Sequence, residues 1–314
     1  MELTSARRLL HESRRFIAIS GAMVILAAIS ACQTAGKRTP TGTHEAEPCQ
    51  PSVATEKAAA TPTTADVYDK QVLSLDPVLY LTLPNSSSTE TDLSGHGNAA
   101  VFLPAGDPTI KVAMPNGDMA AEFNGLDQYV QVASSDALSV TDTGCMTIEA
   151  WLRPATLQFP HEEGTGYVYI LGKGAAGKYE YAIRMYSETN TEVPVRPNRI
   201  SGYVFNLAGG LGSGAYFQNT VVVGQWIMVT LVVNDKASSG WPDGYIALYK
   251  DGSLEDQVSM KQYDVTPHAG NAPFCIGTRD NNSYFEGAIG KVAVYDRILT
   301  SSQIAATYSA MFSS

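Results

Sequence analysis

The sequence predicts an all-β domain: a two-sheet antiparallel sandwich that closes on a short helix. Three observations predict it. From residue 70 onward, short runs rich in Val, Ile, Tyr, Leu and Thr alternate with turns of Gly, Asn, Asp and Ser. No long period of 3.6 residues interrupts them. In the run 146–153, alternation puts Ile148, Ala150 and Leu152 on one face and Thr147, Glu149, Trp151 and Arg153 on the other. The first of these faces is the natural inter-sheet core.

Strands are expected over 78–83, 129–133, 147–152, 179–185, 200–207, 226–233, 245–249 and 291–295. Asn124-Gly125 and Asp251-Gly252 supply turns that tolerate positive φ. At the end, Thr300 with Gln303 three residues on makes a capping box. It opens a helix carrying Ile304, Thr307 and Tyr308 on one side.

The first quarter of the chain is of another kind. Arg7, Arg8, Arg14 and Arg15 precede an apolar stretch, 16–29, too short to cross a bilayer comfortably as a helix. Basic, apolar and small residues in that order read as a secretory signal. Ser13-Arg14-Arg15 hints at twin-arginine export, but the residues after it fit that route poorly. The stretch ends in Ile29-Ser30-Ala31-Cys32, which resembles the bacterial lipobox, with Cys32 as the residue that receives lipid. Gln33 stands where Asp would signal inner-membrane retention, so the expected address is the outer membrane, with the chain lipid-anchored in the bacterial envelope. Residues 32–66 are rich in Thr, Ala, Pro and Glu without an apolar period, and read as a flexible tether. Such a coil spans roughly 30–35 Å. The expected organisation is therefore signal peptide 1–31, tether 32–66 and one domain, 67–314.

The whole chain has 21 Lys and Arg against 31 Asp and Glu. Removing residues 1–31 takes away four Arg and two Glu, leaving 17 positive and 29 negative residues. That balance excludes nucleic acid as a partner and argues against direct binding to anionic lipid. Contact with the membrane is expected through the N-terminal lipid alone.

Motifs along the body resemble those of the laminin-G-like, concanavalin-A-like jellyroll family. The loop Asp92-Leu93-Ser94-Gly95-His96-Gly97-Asn98 is similar to the family's early Asp-x-Ser-Gly-x-Gly-Asn loop. Phe123-Asn124-Gly125-Leu126-Asp127-Gln128-Tyr129-Val130 is similar to its Phe-Asn-Gly hairpin, and Met146-Thr147-Ile148-Glu149-Ala150-Trp151 to the strand that follows. Ile170 to Gly174, Gly224-Gln225-Trp226 and Leu248-Tyr249-Lys250-Asp251-Gly252 continue the match in order. The stretch from Ile276-Gly277 to Ile298-Leu299 resembles the family's closing strand and helix. The resemblance implies a two-sheet antiparallel jellyroll sandwich, and leaves the function to be argued from the site.

It also implies a site for Ca²⁺ held by Asp92, the Gly95 carbonyl and Asn98. Against this, the family has Ile-Asp-Glu where this chain has Ile289-Gly290-Lys291. Two carboxylates are lost and a cation gained, so a plain Asx turn stays open as the alternative. Hydrolases on this fold need two acids about 5–10 Å apart. The strand 147–153 offers Glu149 alone, expected to serve as a structural partner for Arg153 or a neighbouring strand. The histidines are scattered, and the family's pair after the strand tryptophan is replaced by Ile227 and Met228. Neither zinc nor a catalytic triad is supported. Cys145 and Cys275 sit at strand ends and are the candidate disulfide, given Cα atoms within about 7 Å.

The expected function is non-catalytic binding or adhesion, with a glycan or an envelope protein as partner. Family members of this kind hold sugars in shallow grooves on aromatic rings. Trp151, Tyr245 and Tyr249 form the candidate platform, joined by Trp241 in the loop 239–244, expected to be solvent-exposed. The alternatives are a structural or protein-interaction domain and a polysaccharide hydrolase or lyase.

Overall fold

The alternation of apolar and other residues makes strands, and the strands stack as two sheets. The computed structural model describes residues 64–84, 87–105 and 110–313, so Cys32 and most of the tether lie outside the described residues. The strands in chain order are β1 (Leu79–Leu81), β2 (Thr89–Glu90), β3 (Ala100–Leu103), β4 (Ile110–Ala113), β5 (Met119–Asn124), β6 (Tyr129–Val132), β7 (Cys145–Pro154) and β8 (Tyr167–Lys173). They continue as β9 (Tyr181–Tyr186), β10 (Ile200–Val204), β11 (Ser213–Tyr216), β12 (Ile227–Asn234), β13 (Tyr245–Lys250), β14 (Ser253–Ser259), β15 (Phe274–Ile276) and β16 (Glu286–Tyr295). Three α-helices accompany them: α1 (Thr64–Ser74), the single-turn α2 (Val140–Thr143) and α3 (Ser301–Ala310). None of the described helices is long and apolar enough to cross a membrane.

The first sheet runs β14-β13-β12-β7-β16-β5-β4, with β1 also paired to β16. The second runs β11-β10-β9-β8-β15-β6-β3-β2. Every pairing is antiparallel, the two-sheet sandwich that the sequence predicts. Ile148, Ala150 and Leu152 enter the main core, as the alternation requires. Ile227, Val229, Leu231, Ile246 and Leu248 join them from the same sheet, and Val168, Ile183, Ile200 and Phe274 face them from the other. Asp251 and Gly252 take φ of 50° and 80° in the tight turn between β13 and β14. The capping box forms as read: Gln303 N donates to Thr300 Oγ1 at 3.2 Å, and Thr300 N donates to Gln303 Oε1 at 2.9 Å.

A second apolar layer covers the outer face of the first sheet. α1, at the start of the domain, is a helix that the sequence pattern does not announce. Its Tyr68 and Val72 are fully buried, packed with Trp151, Met228, Tyr249, Tyr295 and Ile304 of α3. Lys291 fixes α1 in place. It stands at a register shift in β16 with φ of 53°, and its ammonium meets Asp69 of α1 at 2.6 Å and Asp118 at 2.5 Å. The cation that replaces a family carboxylate is therefore a clamp for the helix.

Candidate functional site

The expected aromatic platform does not assemble. Trp151 points outward from the first sheet, but α1 and α3 cover that face, and the side chain is 1% exposed. Its ring stacks on Tyr308 with centroids 5.7 Å apart, and its Nε1 donates to Tyr68 Oη at 2.9 Å. Tyr249 is buried in the same layer, its hydroxyl 3.0 Å from Ser301 Oγ. Trp241 and Tyr245 do come together, with centroids 5.8 Å apart, and both are half-buried rather than free in solvent. The physical reason is coverage: strand period tells which face a ring takes, not what lies over it.

Glu149 belongs to the same covered layer. Its Oε2 accepts from Tyr295 Oη at 3.1 Å, and its Oε1 has no hydrogen-bond partner among the described residues. Burial pushes its carboxyl up to about 8, against the opposing effect of the Tyr295 hydrogen bond. It is a structural partner of a neighbouring strand; Arg153 turns instead to the Gly224 carbonyl at 2.9 Å.

The loop expected to hold calcium is closed on itself. Asp92 Oδ1 accepts from Tyr80 N and Ser94 N, and Oδ2 from Asn98 N, each at 2.9 Å. The Asn98 amide donates to the Val78 carbonyl at 2.8 Å, and its oxygen accepts from Ser135 at 3.2 Å. The carboxylate is turned toward amide protons, and no group of three His, Cys, Asp or Glu gathers among the described residues. These hydrogen bonds are those of an Asx-type turn. Cys145 and Cys275 are likewise not a disulfide: they lie on different sheets as free cysteines, and burial pushes the Cys275 thiol up to about 12.

The recess with ligand-binding chemistry lies on the outer face of the second sheet. Outward positions of an antiparallel strand are ordinarily polar; here Tyr167 and Tyr169 of β8, Arg184 and Tyr186 of β9, and Tyr203 of β10 occupy them. Register sets Tyr169 beside Arg184, Tyr167 beside Tyr186 and Tyr203 beside the small Ala182. Glycines make room for the rings. A Cβ at Gly214 would stand 2.4 Å from the Tyr203 ring, and one at Gly212 2.6 Å from Phe205.

The rings cradle arginines. The Arg184 guanidinium lies 4.1 Å from the Tyr203 ring centroid and 4.4 Å from that of Tyr167. Arg279 lies 3.9 Å from Tyr169 and 4.4 Å from Tyr179, and Arg196 lies 4.3 Å from Tyr216. Ring faces hold the guanidinium planes and leave their N–H edges for in-plane acceptors. Arg184 Nη2 donates to Tyr186 Oη at 2.7 Å, which in turn stands 2.7 Å from Tyr203 Oη. Above this floor a hollow of about 550 Å³ opens between Tyr167, Arg184, Arg196, Tyr203 and Tyr216. It adjoins a smaller one of about 200 Å³ that shares Tyr167, Arg184 and Phe205. The combination of ring faces and fixed polar edges is what a hydroxylated, partly apolar ligand such as a pyranose requires.

A two-sheet sandwich with a cleft on one outer face defines a concanavalin-A-like architecture. The chain belongs to the concanavalin A-like lectin/glucanases superfamily, whose family model matches residues 123–305. Among solved structures it is similar to the binding domain of Paraclostridial Mosquitocidal Protein 1, with a TM-score of 0.55, 15% identity and coverage of 75% of this chain and 52% of that one. The botulinum neurotoxin serotype D ligand binding domain, in complex with N-acetylneuraminic acid, gives 0.51 and 11%, covering 78% and 52%. Domain 4 of AbnA, a GH43 extracellular arabinanase from Geobacillus stearothermophilus in complex with arabinotriose, gives 0.50 and 15%, covering 74% and 98%. The chain thus spans about half the length of the two toxin domains. At these identities the likeness is one of fold. Comparison with the curated proteins gave no match.

Proposed function

We propose that this protein is a non-catalytic carbohydrate-binding domain, carried on the bacterial envelope by a lipid on Cys32. The observation that carries the binding reading is the cleft on the second sheet, where tyrosine faces and arginine edges line two adjoining hollows. Two proteins of the same fold are described with saccharides bound, N-acetylneuraminic acid and arabinotriose, which supports a sugar as the ligand class.

The carboxylates of the cleft support binding over hydrolysis, because each is already engaged. Glu163 accepts from Ser283 Oγ at 2.9 Å, Glu192 from Arg184 and Arg196, and Asp256 from the Tyr216 amide. The alternative of a protein-interaction domain has one observation in its favour: Val193 and Leu211, 89% and 73% exposed, stand on the rim of the cleft.

A glycan array probed with the protein tests the reading. Saturable binding to a defined set of glycans, without release of reducing sugar, is the expected result; no retention on any glycan would transfer the cleft to a protein partner. Labelling with radioactive palmitate tests the anchor: wild type should be labelled and Cys32→Ser should not, and equal labelling of both would remove the lipid from the account.

A further inference from the structure

The two hollows of the cleft differ in chemistry. The larger is walled by tyrosine rings, by Arg184 and Arg196 with Glu192, and by the apolar rim residues Val193 and Leu211. The smaller is walled by Glu163, Tyr167, Tyr169, Tyr179, Arg184 and Arg279, among others, and brings two guanidiniums into about 200 Å³. The geometry points to this smaller hollow as a subsite for one anionic group, the carboxylate or sulfate of an acidic sugar. This rests on the glycan-binding function proposed above.

The pairing of charges leads there. Arg279 donates through Nε and Nη2 to Asp280, at 3.2 and 2.6 Å, and is matched. Arg184 and Arg196 share a single carboxylate, Glu192, at 3.4 and 3.2 Å. Two guanidiniums on one carboxylate leave a positive charge without a counterpart. Arg184 is 7% exposed, and its Nε has no hydrogen-bond partner among the described residues. A buried guanidinium short of partners costs stability, and an anion bound beside it offsets part of that cost. Glu163 is the remaining charged group of the hollow. Burial, then repulsion from Asp280, shifts its carboxyl above the ordinary value, so it yields its negative charge more readily than a surface glutamate. A neutral sugar can accept from a guanidinium through its hydroxyl oxygens but brings no charge to balance it. A carboxylate or sulfate presents the planar or near-planar oxygen pair that a guanidinium edge accepts.

Oligogalacturonate and its methyl ester test the carboxylate, and dextran sulfate against dextran tests the sulfate. Titration of the full chain should show one acidic probe binding at least tenfold more tightly than its neutral counterpart, with the gap narrowing as salt rises. Arg184→Gln should bring the two forms of that probe close to equal affinity. Glu163→Gln keeps the fold-side hydrogen bond and removes a competing charge, so it should bind the acidic probe as tightly or up to several-fold more tightly. Should Arg184→Gln fail to fold, the acid-to-neutral ratio on wild type and the direction of the Glu163→Gln change decide. Equal affinity for acidic and neutral forms of both probes would overturn the subsite and leave the cleft a neutral-sugar site. Absence of binding to every glycan of a broad array would remove the binding function itself, and the subsite with it.

Discussion

Replacing Trp151 by alanine separates a structural tryptophan from a ligand contact. The side chain is 1% exposed, stacked on Tyr308 and met edge-on by Tyr68 and Phe312 at 6.4 and 6.0 Å. Truncation removes roughly 200 Å² of buried aromatic surface, which at 25 cal/mol per Å² bounds the loss near 5 kcal/mol. Large-to-small changes of this kind cost about 3–5 kcal/mol. The Tyr68 hydroxyl, fully buried, also loses its donor, which adds about 1–3 kcal/mol. Trp151→Ala is therefore expected to destabilise by about 4–8 kcal/mol. Trp151→Phe, which keeps a ring and loses the hydrogen bond, should cost about 1–3 kcal/mol. Urea denaturation followed by circular dichroism measures both, with the midpoint moving and the slope kept. A loss under about 1 kcal/mol for Trp151→Ala, together with weakened glycan binding, would mean that this face is open and the ring a ligand platform.

Three further outcomes follow from the same geometry. Glu149 holds its proton in the fold up to about 8, above its ordinary 4.5. The stability this lends is fully present below about pH 4.5 and is lost as pH rises toward 8, at no more than about 1.4 kcal/mol per pH unit. Glu149→Gln should flatten that decline, and an unchanged slope in denaturation curves between pH 5 and 8 would assign it to other groups. With Asp92 committed to three backbone amides, melting curves in calcium and in chelator should coincide; a rise of several degrees in calcium, abolished by Asp92→Ala, would show an ion in the loop. Gly214→Ala should push the Tyr203 ring out of place and lower glycan affinity at least fivefold, and an unchanged dissociation constant would mean that Tyr203 does not contact the ligand.

Much of the fold was legible because its rules are local. The alternation over Met146–Arg153 placed Ile148, Ala150 and Leu152 in the core, and Thr300 with Gln303 announced α3. The helix α1 left only the spacing of Tyr68, Val72 and Leu75, and its polar neighbours blended with the Thr- and Ala-rich stretch before it. The candidate site was legible only as fragments. Tyr167 and Tyr169, Arg184 and Tyr186, and Tyr203 and Phe205 each stand two apart, with aromatic or cationic side chains at alternate positions. What joins them is the register of β8, β9 and β10, which is set by pairing between distant segments. Trp151 was misread for the converse reason: its strand face was right, but α1 and α3, from the two ends of the domain, fold over it.

The claim on which the account turns is that ligand binds on the outer face of the second sheet. Calorimetric titration of the strongest glycan from the array, against Arg196→Ala and Trp241→Ala, tests it most directly. Arg196 is only part-buried and Trp241 half-buried, so both variants should keep their fold, which the same thermal unfolding scan would verify. Arg196→Ala should weaken binding at least tenfold while Trp241→Ala stays within twofold of wild type; the reverse pattern would place the ligand on the first sheet and contradict the account.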